Sequence, residues 1–237
     1  MIIHSISGPR NISTALMYSF AQRRDVTALD EPFYAAYLNL NPDLDHPGRD
    51  EVLKSQATDP NEVAEHIIKL NNGERHVYVK DMAHHFADMK LDPFQNSKAI
   101  FLVRDPAKLI ASFQKVIAKP TLKDIGLEEE WQLFQQYKKE GLPAFVVPTE
   151  RLSDNPENSL RILCSALEIP YDNKMLNWPA GPKDYDGCWS KYWYTNAHKS
   201  TGFKPFSSDN TELDSHGKTL LELALPFYHS LSQHSLL

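Results

Sequence analysis

Cysteine is scarce in this chain: Cys164 and Cys188 are the only two in 237 residues. That excludes a disulfide framework and a thiolate metal centre as organising principles. Both read as buried or bystander thiols. A basic excess is also missing. Lys and Arg number 25 against 31 Asp and Glu, a formal charge of −6. A general nucleic-acid binder shows the opposite balance. An anionic small ligand stays open, because a cleft can be locally basic on an acidic protein. No apolar run reaches spanning length and no charged-then-apolar leader opens the chain. Strand-like sequence begins at residue 2, so the expectation is a cytoplasmic protein with no membrane span and no presequence to remove. Linkers, repeats and low-complexity tracts are absent too. With 41% hydrophobic residues, residues 1–237 read as a single domain with an ample core.

What is present is an alternation. Short apolar runs at 2–7, 26–29, 76–81, 99–103 and 144–147 read as strands. Between them, helical spacing covers 12–23, 33–40, 61–71, the stretch from Pro106, 128–140 and 155–167. Residues 41–50, rich in Asn, Asp, Pro and Gly, read as a loop. The stretch 178–210 is aromatic and irregular. A last helix spans 212–235, with Pro226 expected to kink or split it. Alternating strands and helices predict a three-layer α/β fold, a mostly parallel sheet flanked by helices. Ligands in such folds sit beyond the carboxyl ends of the strands. Arg10, Glu31, Lys80 and Arg104 each follow a predicted strand and should converge on one rim.

The segment Ile2 to Thr14 has the grammar of a phosphate-binding loop: a strand, a small-residue turn at Gly8-Pro9-Arg10, then a helix. Turn amides and the positive helix end together make an anion site. The ATPase loop G-x-x-x-x-G-K-[ST] is excluded, because Ser13 and Thr14 stand where its Gly and Lys belong. The cation comes earlier, as Arg10. A second constellation runs Phe101-Leu102-Val103-Arg104-Asp105-Pro106, with Ser112 eight residues after the arginine. An Arg at a strand end offers a planar fork to phosphate, and the Ser hydroxyl reaches another oxygen. The structural alternative is a helix capped by Asp105, with Arg104 in a local ion pair and Ser112 packed on a neighbour.

These two motifs resemble those of sulfotransferases that use 3′-phosphoadenosine 5′-phosphosulfate (PAPS), and the likeness runs from residue 3 to about 168. It implies a P-loop fold. Gly8, Pro9, Arg10, Asn11, Ile12, Ser13 and Thr14 would hold the 5′-phosphosulfate. Arg104 and Ser112 would hold the 3′-phosphate. Lys199, Ser200 and Thr201 resemble a closing basic loop, with an aromatic side chain on adenine. Pro148-Thr149-Glu150-Arg151-Leu152 with Asp154-Asn155-Pro156 is similar to a helical segment of the family and bears on the fold. Lys80 and Arg10 would balance charge on the leaving phosphate, with no metal. The family's Lys-Thr-His is here Lys80-Asp81-Met82, so the usual histidine base is replaced, with His84 and His85 nearby. Asp30-Glu31-Pro32-Phe33 resembles an element whose Glu accepts the acceptor proton; Glu31 as base, or as a helix cap, both remain open. Asp30 would orient Glu31 or cap. The acceptor, a hydroxyl or an amine of a small molecule or carbohydrate, would meet the 34–60 and 178–210 regions. Two rival readings stand beside this one: a P-loop kinase or hydrolase, kept alive by Lys80-Asp81, and a catalytically silent nucleotide-binding protein.

Overall fold

The computed structural model describes residues 1–44, 46–73, 75–86, 94–206 and 212–237. The strands are β1 (Ile2–Ser7), β2 (Val26–Asp30), β3 (His76–Met82), β4 (Ser97–Val103) and β5 (Ala144–Pro148). All neighbours pair in parallel, in the order β2-β3-β1-β4-β5. The helices before β4 are α1 (Ser13–Ala21), α2 (Tyr34–Leu40), α3 (Arg49–Ser55), α4 (Pro60–Leu70) and α5 (Ala83–Phe86). After it come α6 (Pro106–Gln114), α7 (Leu122–Ile125), α8 (Leu127–Lys139), α9 (Thr149–Asp154) and α10 (Pro156–Leu167). The chain closes with α11 (Ser190–Trp193), α12 (Thr195–Lys199) and α13 (Ser215–Ser232).

Side chains alternate across a strand, so each strand feeds two cores. Ile2, Ile6, Val77, Val79, Ala99, Phe101 and Val103 pack with α4, α6, α8 and α13. Ile3, Tyr78, Ile100, Leu102 and Val147 pack with α1 and α10 on the other face. Burial on both faces explains why the strands read as near-continuous apolar runs. A polar set around His4 and Asp81 of the sheet lies inside. The His4 ring contacts the Tyr137 hydroxyl at 2.7 Å and Asp81 Oδ2 at 3.0 Å, and stacks on Phe94.

Register fixes the rim. Ser7 aligns with Met82 of β3 and Leu102 of β4, and Asp30 aligns with Lys80. The loop after β1 therefore emerges between the ends of β3 and β4, where the strand order changes direction.

The expected strands are all found, each within two residues of its predicted bounds. Six helices, α3, α5, α7, α9, α11 and α12, lie outside the stretches read from helical spacing. α3 starts inside the polar stretch read as a loop, and α7 is a short turn closed by a Thr121–Asp124 capping box. α11 and α12 interrupt the stretch read as irregular, whose end at 207–210 lies outside the described residues. Pro226 does not split α13, which runs through it. Leu220, Ala224 and Leu231 are buried against the first core, and that packing outweighs the lost backbone bond.

The loop after β1 is clamped from below. A Cβ on Gly8 would lie 2.1 Å from the Ile125 carbonyl oxygen, at the turn joining α7 to α8. Because that obstacle is backbone, Gly8→Ala should cost about 1–3 kcal/mol of stability, as overpacking does. Urea unfolding checks this, and an unchanged midpoint would contradict the clamp.

Candidate active site

Two clusters occupy the rim. The first surrounds the loop. Arg10 and Ile12 adopt left-handed backbone conformations, with φ of 64° and 51°. Residues alternating in hand turn successive amides to one side, an anion-binding nest. The N-terminus of α1 carries no side-chain cap, so its first amides also face the loop. Asn11 is fully buried, and neither atom of its amide has a hydrogen-bond partner among the described residues.

Arg104 and Ser112 meet this loop directly. Arg10 Nε donates to Ser112 Oγ at 3.2 Å, and an Arg104 Nη1 donates to the Arg10 carbonyl at 3.0 Å. The ring of Phe206 lies 4.0 Å from the Arg104 guanidinium, while Arg104 Nε is buried without a partner among the described residues. Asp105 caps α6, accepting from Ala107 N at 2.9 Å and Lys108 N at 3.2 Å. Arg104 forms no salt bridge among the described residues, so the local ion pair is not what holds it. Loop amides, a half-buried guanidinium fork and a hydroxyl together suit a ligand bearing phosphate groups.

Lys199, Ser200 and Thr201 lie elsewhere in the rim's cover. Lys199 and Thr201 are exposed. Ser200 Oγ accepts from Trp178 Nε1 at 3.0 Å and donates to the Ala197 carbonyl. The Thr201 carbonyl accepts from Trp178 N. Beyond them Phe203 packs on Trp178, and the chain then brings Phe206 over Arg104.

The second cluster sits at the ends of β2 and β3. Lys80 is fully buried, and its three N–H donors meet three acceptors. They are Asp30 Oδ1 at 2.9 Å, the Tyr194 hydroxyl at 2.8 Å and Glu31 Oε1. Burial would depress the Lys80 pKa, but Asp30, Glu31 and Tyr194 reverse this and hold it well above its ordinary value. Asp30 also accepts from the Tyr194 hydroxyl, 2.8 and 2.9 Å from its two oxygens, and from Gly187 N at 3.0 Å. The other Glu31 oxygen faces His85 Nδ1 at 3.5 Å. Glu31 sits at φ 43°, and its backbone is fixed by an N–H bond to the Lys80 carbonyl and by Gln56 on its own carbonyl. Burial raises its pKa to about 7; Lys80 opposes this and Asp30 adds to it.

The two histidines are buried as well. His85 stacks on Tyr34 with centroids 4.3 Å apart. Burial lowers His85 well below its ordinary value and His84 to about 4. Both are therefore neutral near pH 7.

Sequence reasoning placed Arg10, Arg104, Ser112, Glu31 and Lys80 on this rim. It missed Tyr194, Gly187 and Phe206, which arrive from the aromatic segment. It also missed Glu130 of α8, whose buried carboxyl is driven well above its ordinary value by desolvation, beside Gly8 of the loop. The run Glu128-Glu129-Glu130 reads as a solvated first helical turn; only the spacing of Glu130 with Phe134 and Tyr137 marks the inner face.

The Glu31 shift has a consequence for stability. The carboxyl titrates at 4.5 ordinarily and at about 7 when folded. The folded state binds the proton more tightly, so this contribution is fully present below pH 4.5 and is lost as pH rises through 7. Glu31→Gln does not titrate. Hence the unfolding free energy of the unsubstituted protein minus that of the variant should fall as pH rises from 4.5 to 8. Chemical denaturation at several pH values tests it; a flat or rising difference contradicts the buried, raised carboxyl.

A family model described as Sulfotransferase domain matches residues 1–235. Branched-chain-amino-acid aminotransferase-like proteins 1 and 2 of Arabidopsis thaliana are 37% and 36% identical over 98% of this chain. The chain spans only 42% of the length of either, so the activity in those names stays with those proteins. A sulfotransferase from Alicyclobacillus acidocaldarius superposes with a TM-score of 0.59 at 14% identity, covering 98% of this chain and 94% of its own. The sulfotransferase domain from the curacin biosynthetic pathway gives 0.52 at 18%, covering 94% and 96%. At such identities the structural likeness speaks for the fold alone. The match along nearly the whole chain goes further: this chain belongs to the sulfotransferase domain family.

Proposed function

We propose that the protein transfers a sulfuryl group from PAPS, as donor substrate, to a hydroxyl of a small-molecule or carbohydrate acceptor. The observation that carries this reading is the contact of Arg10 with both Ser112 and Arg104. It joins two anion-binding elements, as a nucleotide with phosphates at both ends of its ribose requires. The uncapped α1 amides, the unpartnered Asn11 amide and the unpartnered Arg104 Nε fit such a ligand. The donor supplies an activated sulfuryl group with adenosine 3′,5′-bisphosphate as leaving group.

The chain's residues have separate tasks. The Gly8 to Thr14 loop and Arg10 bind the 5′ end. Arg104 and Ser112 bind the 3′-phosphate. Lys199, Ser200 and Thr201 belong to the segment that covers the nucleotide. Lys80, held charged, exchanges one of its three partners for an oxygen on the leaving side. Glu31 takes the acceptor proton: a carboxyl poised near neutrality is ionised often enough to accept and basic enough to help. His84 and His85, with depressed proton affinity, are weaker candidates. Orientation and preorganised charge supply most of the acceleration. The acceptor approaches from α2, α3 and the 187–199 segment, which surround Glu31.

Adenosine 3′,5′-bisphosphate should bind more tightly than ADP or ATP by calorimetry. Arg104→Ala should erase much of that preference, about 2 kcal/mol, while scarcely affecting ADP. Equal weakening of both ligands would make Arg104 structural.

Glu31→Gln should bind the bisphosphate normally yet lose roughly 10²–10⁴-fold in transfer from labelled PAPS across an acceptor panel. His84→Ala and His85→Ala should be much milder. Full activity in Glu31→Gln removes it from the mechanism. Bisphosphate binding without transfer to any acceptor would favour the silent nucleotide-binding protein.

A further inference from the structure

The cluster at the end of β2 contains two carboxyls and one ammonium, so one negative charge is in excess. Which carboxyl keeps it decides which can take a proton. The hydrogen bonds around the two are unequal. Asp30 receives three donors: Lys80 Nζ at 2.9 Å, the Tyr194 hydroxyl at 2.8 and 2.9 Å, and Gly187 N at 3.0 Å. Glu31 receives Lys80, with a neutral histidine ring at 3.5 Å beyond.

Tyr194 creates this asymmetry. A phenol has one proton to give. Its oxygen accepts from Lys80 at 2.8 Å and lies 3.4 Å from Trp189 Nε1, so the proton is directed to a carboxylate. Asp30 lies 2.8 Å away and Glu31 Oε1 3.4 Å. The hydroxyl is therefore committed to Asp30. Carboxylates with two or three donors hold their charge readily; a buried one with a single donor does not.

We propose that Tyr194 is a positioning residue which, through its hydrogen bonds to Asp30 and Lys80, keeps the excess charge of the pair on Asp30 and leaves Glu31 to exchange the proton. This rests on Glu31 as the base proposed above and extends it to a residue 163 positions away. Because Tyr194 and Gly187 both belong to the cover segment, docking of that segment on the rim completes the base.

The groups facing the pair come from several elements. Lys80 and Asp81 belong to β3, His85 to α5, Tyr34 to α2, Tyr18 to α1, and Tyr185 and Tyr194 to the cover segment. Tyr18 is engaged by Asp186, and among the described groups Tyr194 is the neutral hydroxyl within hydrogen-bond distance of Asp30.

The test is a carbon-13 NMR titration of the Glu31 side-chain carboxyl in the full chain, which needs no acceptor. Tyr194→Phe takes from Asp30 a donor that holds its charge, so Asp30 competes for the shared proton and the Glu31 midpoint should fall by about one pH unit. Asp30→Asn removes that charge and should move the midpoint down. In the Asp30→Asn background, adding Tyr194→Phe should shift it by less than a third of its effect alone, because the tyrosine acts through Asp30. A merely structural tyrosine would lower the melting temperature and leave the midpoint unmoved, which overturns the inference. So does an equal shift in both backgrounds. Should Tyr194→Phe fail to fold, Asp30→Asn alone decides, and an unmoved or raised Glu31 midpoint refutes the proposal. A fully active Glu31→Gln, by contrast, would sink the base assignment while the titration still reports on the charge distribution.

Discussion

One fully buried ammonium constrains this molecule more than any other group. Desolvating Lys80 costs several kcal/mol unless its charge and all three protons are matched. The match comes from three places in the chain: Asp30 at the end of β2, Glu31 just beyond it, and Tyr194 in the late cover segment. The two acids are held in turn by backbone, through Gly187 N on Asp30 and the Lys80 carbonyl on Glu31 N. The left-handed conformation of Glu31 belongs to the same arrangement, because it turns the carboxyl back onto β3. Removing either acid leaves a buried Lys80 proton without its acceptor, which is costly in a desolvated site. The chemistry and the folding of this corner therefore share the same bonds.

The other half of the rim obeys a different constraint. It is built from exposed or half-buried cations and the Asn11 amide around the loop after β1, and the protein leaves much of their hydrogen-bonding capacity open. Arg10, Arg104 and Ser112 contact one another only lightly. Nothing there resembles the closed network at Lys80. The division matches a site in which one region receives an anion and the other manages a proton.

Much of this was legible in the sequence, for identifiable reasons. Doubly buried parallel strands leave little room for polar residues, so Ala99 to Val103 could hardly be anything else. Arg104 and Ser112 stand in a local spacing that one strand-to-helix turn converts directly into geometry. Glu31 and Lys80 follow predicted strands, and parallel register brings them together. Contacts made across long separations were invisible. Tyr194 sits in an aromatic stretch with no periodicity, and its meeting with Asp30 depends on how that stretch lies across the rim. α7 and α9 are too short for a pattern to form. α3 begins with Arg49-Asp50, the end of a stretch that reads as loop by composition, and becomes helical by packing Val52 against α2. Pro226 misled because the burial of one side of α13 counts for more than one missing amide.

The close approach of Gly8 to the turn between α7 and α8 carries a last implication. The backbone of Gly8 and that of Gly126 pass with no room for a side chain between them, and Ile125 closes the contact. The start of the loop at Gly8 is therefore held by the fold itself. Conformational entropy at Gly8 is lost on folding, so ordering this residue again would cost a bound anion nothing. Residues 121–126 thus act as the foundation of the loop after β1, and their packing governs how firmly its first residue is placed.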